Sequence, residues 1–265
     1  MTAQALRCFH ARRLAAAIAV ALLGATPALA AEIKVMTSGG FTTAHKELAP
    51  EFERATGHKI STAYGSSMGG AQDSIPSRLG RGEPADIIIL AAPALEALIR
   101  DGKVVAGSRV DLVHSNMGMV VRPGAPKPDI STLEAFKRTV LEAKSIAYSA
   151  SASGTYLSTE LCPKLGIWDQ IKDRSRRIES ERVAAVVARG EAEIGFQQIS
   201  ELLEVKGADF VGPLPEGAQR TTIFSAGIVV NAMEPEAARE LIRYFTSPAA
   251  VPAIKRNGLD PAPAR

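Results

Sequence analysis

The stretch over residues 64–90, YGSSMGGAQDSIPSRLGRGEPADIIIL, decides how this chain is read. It begins where an extended run over 59–63 ends, and opens on Gly65, Ser66, Ser67, Met68, Gly69 and Gly70. Small residues leave main-chain amides uncovered, and a helix starting beyond them presents free N–H groups at the positive end of its dipole. Two hydroxyls, Ser66 and Ser67, beside such an end suit a small anion. The segment then runs through a predicted helix to Gly80 and Gly82. It enters Asp86-Ile87-Ile88-Ile89-Leu90, apolar enough for a strand buried on both faces. A phosphate-loop Lys-Ser/Thr ending is missing, which argues against nucleotide hydrolysis at this turn.

Residues 1–30 read as a secretory signal. Arg7, Arg12 and Arg13 form a basic start, residues 14–23 an apolar run too short for a comfortable membrane span, and Ala28-Leu29-Ala30 an A-x-A cleavage signature. Cleavage before Ala31 and a periplasmic protein with no stable membrane insertion are expected. The chain has 31 basic and 28 acidic residues. Three of the basic ones leave with the signal, so the mature chain is formally neutral. That balance gives no reason to expect a nucleic-acid partner, and any anion binding must be local. Cys8 also leaves, so Cys162 cannot form an intramolecular disulfide and reads as a packed helix-end residue. No metal or cofactor motif stands out, and none is expected.

Beyond residue 30, strands and helices alternate. Strands are predicted at 32–37, 58–63, 87–90, 116–122, 145–148, 194–196, 210–211 and 221–231. Helices start near Thr42, Pro93, Ser131, Ser149, Ser180, Ile199, Pro235 and Pro248. The capping box Ser131-Thr132-Leu133-Glu134 is one of the clearer starts. Alternation implies largely parallel sheets covered on both faces, with ligands at the carboxyl ends of strands. Three small-residue turns fall there, at 38–41, 65–70 and 149–155, and the helix start at Ser180 is a fourth. A single such turn reads as ordinary capping; several converging on one place favour binding.

This order of elements resembles the type II periplasmic solute-binding fold, and specifically the molybdate-binding periplasmic proteins of ABC importers. The matching runs include Ile33-Lys34-Val35, Gly65-Ser66-Ser67, Gly82-Glu83-Pro84-Ala85-Asp86-Ile87, Lys164-Leu165-Gly166-Ile167-Trp168-Asp169 and Glu191-Ala192-Glu193-Ile194-Gly195. The resemblance implies two α/β lobes, 31–114 plus 232–265 and 115–231, each a mostly parallel sheet flanked by helices. The cleft between them would hold a small anion for delivery to an importer permease. In that family serine hydroxyls and main-chain amides hold the oxyanion without a counter-charge. Carried over, the donors fall at Ser38, Gly39 and Gly40, at Ser66 and Ser67, at Ser153 and Gly154, at Ser180 and Glu181, and at Gln198. Gly40 stands where the family has a serine donor, and Gln198 where it has a tyrosine. Both departures leave more room and lean towards an organic di- or tricarboxylate, for which Arg182 offers a bidentate partner.

The expectation is a monomeric binding protein and not an enzyme. A hydrolase using Ser67 or Ser153 is the rival. Against it, His45 reads as an exposed helix position, His58 as a strand start and His114 as a hinge residue, with no G-x-S-x-G or H-E-x-x-H present. A ligand-sensing role on the same fold is the second rival.

Overall fold

A computed structural model of the chain describes residues 30–263. The expected signal at 1–30 therefore lies almost wholly outside the described residues. The body from Ala31 onward holds two sheets. The first part of the chain runs β1 (Glu32–Ser38), α1 (Gly39–Thr56), β2 (Lys59–Gly65), α2 (Ile75–Gly80), β3 (Ile87–Ala91), α3 (Ala92–Arg100) and β4 (Val110–Ser115). The second runs β5 (Met117–Val121), α4 (Leu133–Glu142), β6 (Ile146–Ser149), a helical run α5 over 152–164, and β7 (Ser175–Ile178). It continues through α6 (Val183–Ala188), β8 (Ile194–Gln198), α7 (Ile199–Leu203) and β9 (Asp209–Pro213). The chain then returns through β10 (Thr222–Ile228), α8 (Pro235–Phe245), α9 (Val251–Arg256) and β11 (Leu259–Pro261).

The first sheet has the order β11-β4-β10-β3-β1-β2 and the second β7-β6-β8-β5-β9. Both are mixed: β1 runs parallel to β2 and β3, and β6 to β7 and β8, while the pairs made by β10, β4, β5 and β11 are antiparallel. The two-lobed α/β architecture stands, with fewer parallel pairs than strand–helix alternation suggests. Strand β10, expected in the second lobe, is hydrogen-bonded to β3 and β4 of the first. Its Phe224, Ala226 and Ile228 complete the core around Phe41, Phe52 and Phe245, which explains the placement.

Two features of the first lobe have local causes that can be named. Asp86, the acid of the Pro-Ala-Asp-Ile run, is buried. Its carboxylate accepts from the main-chain N–H of Lys34 (2.7 Å), Met233 (2.6 Å) and Glu234 (2.9 Å). It thus ties β1 and the entry to β3 to the start of α8, where free N–H groups favour a negative charge. His45 is also buried, contrary to the expectation of an exposed helix position. Helix α1 is covered by β2 on one side and by Phe245 on another, whose ring meets the imidazole edge-on at 5.7 Å. Nε2 pairs with Thr62 Oγ1 at 2.8 Å, and Nδ1 has no partner. Burial pushes the imidazole down to about 4.

The chain passes between sheets within one residue, Asn116, and returns over 214–221. Gln219 clamps the two crossings, its amide exchanging hydrogen bonds with Met117 N–H and C=O at 2.8 and 2.9 Å.

Asp86→Ala should leave three buried N–H groups without a partner and cost on the order of 3 kcal/mol in urea unfolding; an unchanged midpoint would remove the tie from the argument. For His45, neither state is charged above pH 6.5. Between pH 6.5 and about 4 only the unfolded chain takes up the proton, so stability falls as pH drops, by up to about 3 kcal/mol. His45→Gln, which can keep the bond to Thr62, should flatten that decline across unfolding curves at several pH values.

Candidate functional site

A cavity of about 350 Å³ opens between the two sheets, at the carboxyl ends of β1, β2, β6 and β8. It brings together Ser38, Gly39, Gly40 and Ser66 from one lobe with Ser153, Ser180, Glu181, Arg182 and Gln198 from the other. Two predicted residues stand outside the lining. Ser67 is fully buried, its Oγ accepting from Ala91 N–H (2.9 Å) and its own N–H donating to Ser151 Oγ (3.3 Å). Gly154 packs on β6, and a Cβ there would lie 1.7 Å from Ser149 O.

Hydroxyls at helix starts divide into two kinds. Ser74 and Thr132 cap in the ordinary way, accepting from Ser77 N–H (3.3 Å) and Ala135 N–H (3.1 Å). Ser38, at the start of α1, makes no cap bond even though its backbone is extended as a cap requires. Its Oγ is buried with no partner, and so is that of Ser153 in the first turn of α5. Their residues are 1% and 2% exposed. Buried hydroxyls are normally satisfied. Both residues line the same cavity, one from each lobe. Ser180 is not a cap: α6 begins at Val183 with Arg182 before it, and Ser180 donates across the cleft to Asp73 Oδ1 (3.0 Å).

The two departures from the family pattern turn out differently from expectation. No space is left at Gly40, because a Cβ there would fall 2.1 Å from the Phe224 ring, which fills the place of a side chain. Gln198 borders the cavity, but its amide faces the crossings. It is best oriented with the nitrogen donating to Ser115 Oγ (2.9 Å) and the oxygen accepting from Thr222 Oγ1 (2.9 Å). Neither is a signal for a larger ligand.

Sequence reasoning singled out Arg182 as a bidentate partner for a ligand, but not the two glutamates that its guanidinium already pairs with. Arg182 Nη1 meets Glu201 Oε1 (2.7 Å) and Arg182 Nη2 meets Glu204 Oε2 (2.9 Å), while Lys46 reaches Glu204 from the other lobe (2.6 Å). Gln197 adds a hydrogen bond to Glu201 Oε1 (2.8 Å) and holds Val183 N–H with its carbonyl (2.9 Å). Burial pushes the Glu201 carboxyl up against the pull of Arg182. For Glu204 burial acts the same way but is outweighed by Lys46 and Arg182, and the carboxyl sits lower than usual.

Two α/β lobes enclosing a cavity at their strand ends are the architecture of periplasmic-type solute-binding proteins. The chain belongs to the bacterial extracellular solute-binding proteins, whose family model matches residues 33–260. It is 47% identical to an aconitate isomerase of a Pseudomonas species, over 94% of this chain and 97% of that protein. It is 29% identical to the molybdate-binding protein ModA of Azotobacter vinelandii, over 94% and 98%. The solved Azotobacter vinelandii periplasmic molybdate-binding protein shares the fold with a TM-score of 0.70, at 22% identity, covering 88% of this chain and all of that one. The expectation of a protein that is not an enzyme is overturned by the first of these relatives, which bears an enzyme's name. That expectation rested on the absence of nucleophile and metal motifs, which proton-transfer chemistry does not require.

Gly40→Ala should cost ~1–3 kcal/mol by overpacking against Phe224. Combined with Phe224→Leu, the penalty should shrink, giving a coupling of about 1 kcal/mol in a double-mutant cycle. Strictly additive costs would show that the ring does not occupy this space.

Proposed function

We propose that the chain is an isomerase of an unsaturated tricarboxylic acid of the aconitate type, working in the cleft of a solute-binding fold. The observation that carries this reading is a cavity lined from one lobe by Ser38 and from the other by Ser153 and Arg182, both serine hydroxyls being without a partner. Hydroxyls and the main-chain amides at the start of α1 suit carboxylate oxygens. The acidic side chains of the rim do not oppose an anion, because each is already engaged. Glu179 pairs with Arg177 (3.4 Å), Glu181 with Arg189 (2.9 Å), Glu204 with Lys46 and Arg182, and Asp73 accepts from Ser180.

Size is compatible with this choice: a cavity of about 350 Å³ has room for a branched tricarboxylic acid. The 47% identical relative supports the reaction class. We further propose that the protein is exported to the periplasm after cleavage before Ala31 and acts as a monomer. No helix among the described residues is long and apolar enough to cross a membrane. Delivery of a bound anion to an importer permease is the second reading, favoured by the fold shared with molybdate-binding proteins.

Proton NMR of cis- and trans-aconitate incubated with the purified protein tests the proposal, and interconversion is expected. Ser38→Ala and Ser153→Ala should each weaken binding by ~1–2 kcal/mol in calorimetry. Tight molybdate binding with both aconitates unchanged would overturn the isomerase in favour of delivery.

A further inference from the structure

Of the five acidic side chains lining the cavity, Asp73, Glu179, Glu181, Glu201 and Glu204, Glu201 alone is buried, at 5% exposure. It leads in from the first turn of α7, and its Oε1 lies against Gly39 at the start of α1, where a Cβ would come within 1.9 Å of it. The carboxyl therefore sits inside the cleft, at the helix end offered to an anion. It is also held firmly. Arg182 and Gln197 donate to Oε1, and Gln197 is itself fixed by Val183 N–H. A carboxylate has about four lone-pair sites. Both donors take Oε1, which leaves Oε2 for another partner.

Resting on the isomerase reading, we propose that Glu201 is the catalytic acid–base that moves a proton between two carbons of the substrate, with Gln197 as a positioning residue. The chemistry asks for one such group. In an unsaturated tricarboxylate of this type the methylene lies between a carboxyl and an alkene conjugated to another carboxyl. Removing a methylene proton leaves its electron pair spread over the three-carbon allyl unit and the adjoining carboxyl. Returning a proton to the far end of the allyl unit turns the old C–H pair into the new double bond, while the old π pair takes up the proton. One proton leaves and one returns, with no oxidant, reductant or water consumed. The bound conformation of the released arm then sets which geometric isomer results.

The environments of the two neighbouring glutamates match this division of labour. Burial raises Glu201 towards the range where a carboxyl both takes and gives a proton, and Lys46 and Arg182 keep Glu204 ionised. Glu204 balances the charge of Arg182 and leaves the exchange to its neighbour. Because Glu201 is shut off from solvent, the proton that it takes is returned to the same substrate molecule faster than it exchanges with water.

The test follows conversion of trans-aconitate by NMR in D₂O, with ligand binding measured separately by thermal shift on the same proteins. Wild type should convert it with less than one deuterium incorporated per turnover. Glu201→Gln should still be stabilised by the ligand yet convert it at least a hundredfold more slowly. Glu201→Asp, which retains the charge but shortens the reach, should fall at least tenfold. Gln197→Met should lower kcat with KM little changed. A full rate in either folded Glu201 variant, or one full deuterium per wild-type turnover, would overturn the role of Glu201 while leaving the isomerase standing. Absence of conversion by wild type would bring down both.

Discussion

The cleft depends on the first two residues of α1 having no side chains. Gly39 and Gly40 present bare backbone where the lobes meet, and the space that Cβ atoms would need is occupied from two directions. Above Gly39 lie Glu201 Oε1 and the Arg182 guanidinium of the second lobe; above Gly40 lies the Phe224 ring of the first. Ser200 fastens the approach by donating to Gly40 O at 2.9 Å. A side chain at Gly39 would hold the Arg182–Glu201 pair away from the helix end. The positive end of the dipole, the open hydroxyl of Ser38 and the charged wall would then no longer share one cavity. Glycine is needed here for close approach, not for an unusual backbone angle.

A second tie, remote from the ligand, lets that first turn be placed at all. The Asp86 carboxylate accepts from main-chain groups of β1 and of the entry to α8, so the strand leading to Ser38 and the C-terminal helices covering it are fixed together. The most recognisable run in the sequence, Pro-Ala-Asp-Ile, is thus structural, and the serines that line the cavity sit in turns with no distinctive motif.

What was legible in the residues is what local physics writes there. Alternating apolar runs, glycine stops and small-residue turns placed most strands and most helix starts. Strand β7 was missed because Ser-Arg-Arg-Ile is a polar edge strand without an apolar pattern, and β4 because the expectation began its strand only at Asn116. Sheet order is non-local, which is why β10 was assigned to the wrong lobe. The Gln198 amide carries no sequence mark that turns it towards Ser115 and Thr222 instead of the cavity. Glu201 was hidden more deeply. An acidic residue in the first turn of a helix reads as dipole complement, and only the tertiary approach of Arg182, 19 residues earlier, together with burial, gives it another character.

That last point bears on how a binding fold comes to do chemistry. Holding an anion by hydroxyls and amides requires water to be kept out, since the donors are worth most where they do not compete with solvent. The same exclusion of water disfavours the charged form of any carboxyl in the wall and so raises its affinity for a proton. A cleft built for binding therefore already contains the condition that tunes an acid–base group. On the isomerase reading, what must be added is small: one carboxyl at the position of Glu201, a guanidinium and an amide to fix its direction, and a neighbour such as Glu204 to absorb the guanidinium's charge. The hydroxyl donors, the glycine turn and the crossings between lobes need no change, so a solute-binding fold can acquire proton transfer without acquiring any of the motifs by which enzymes are usually recognised.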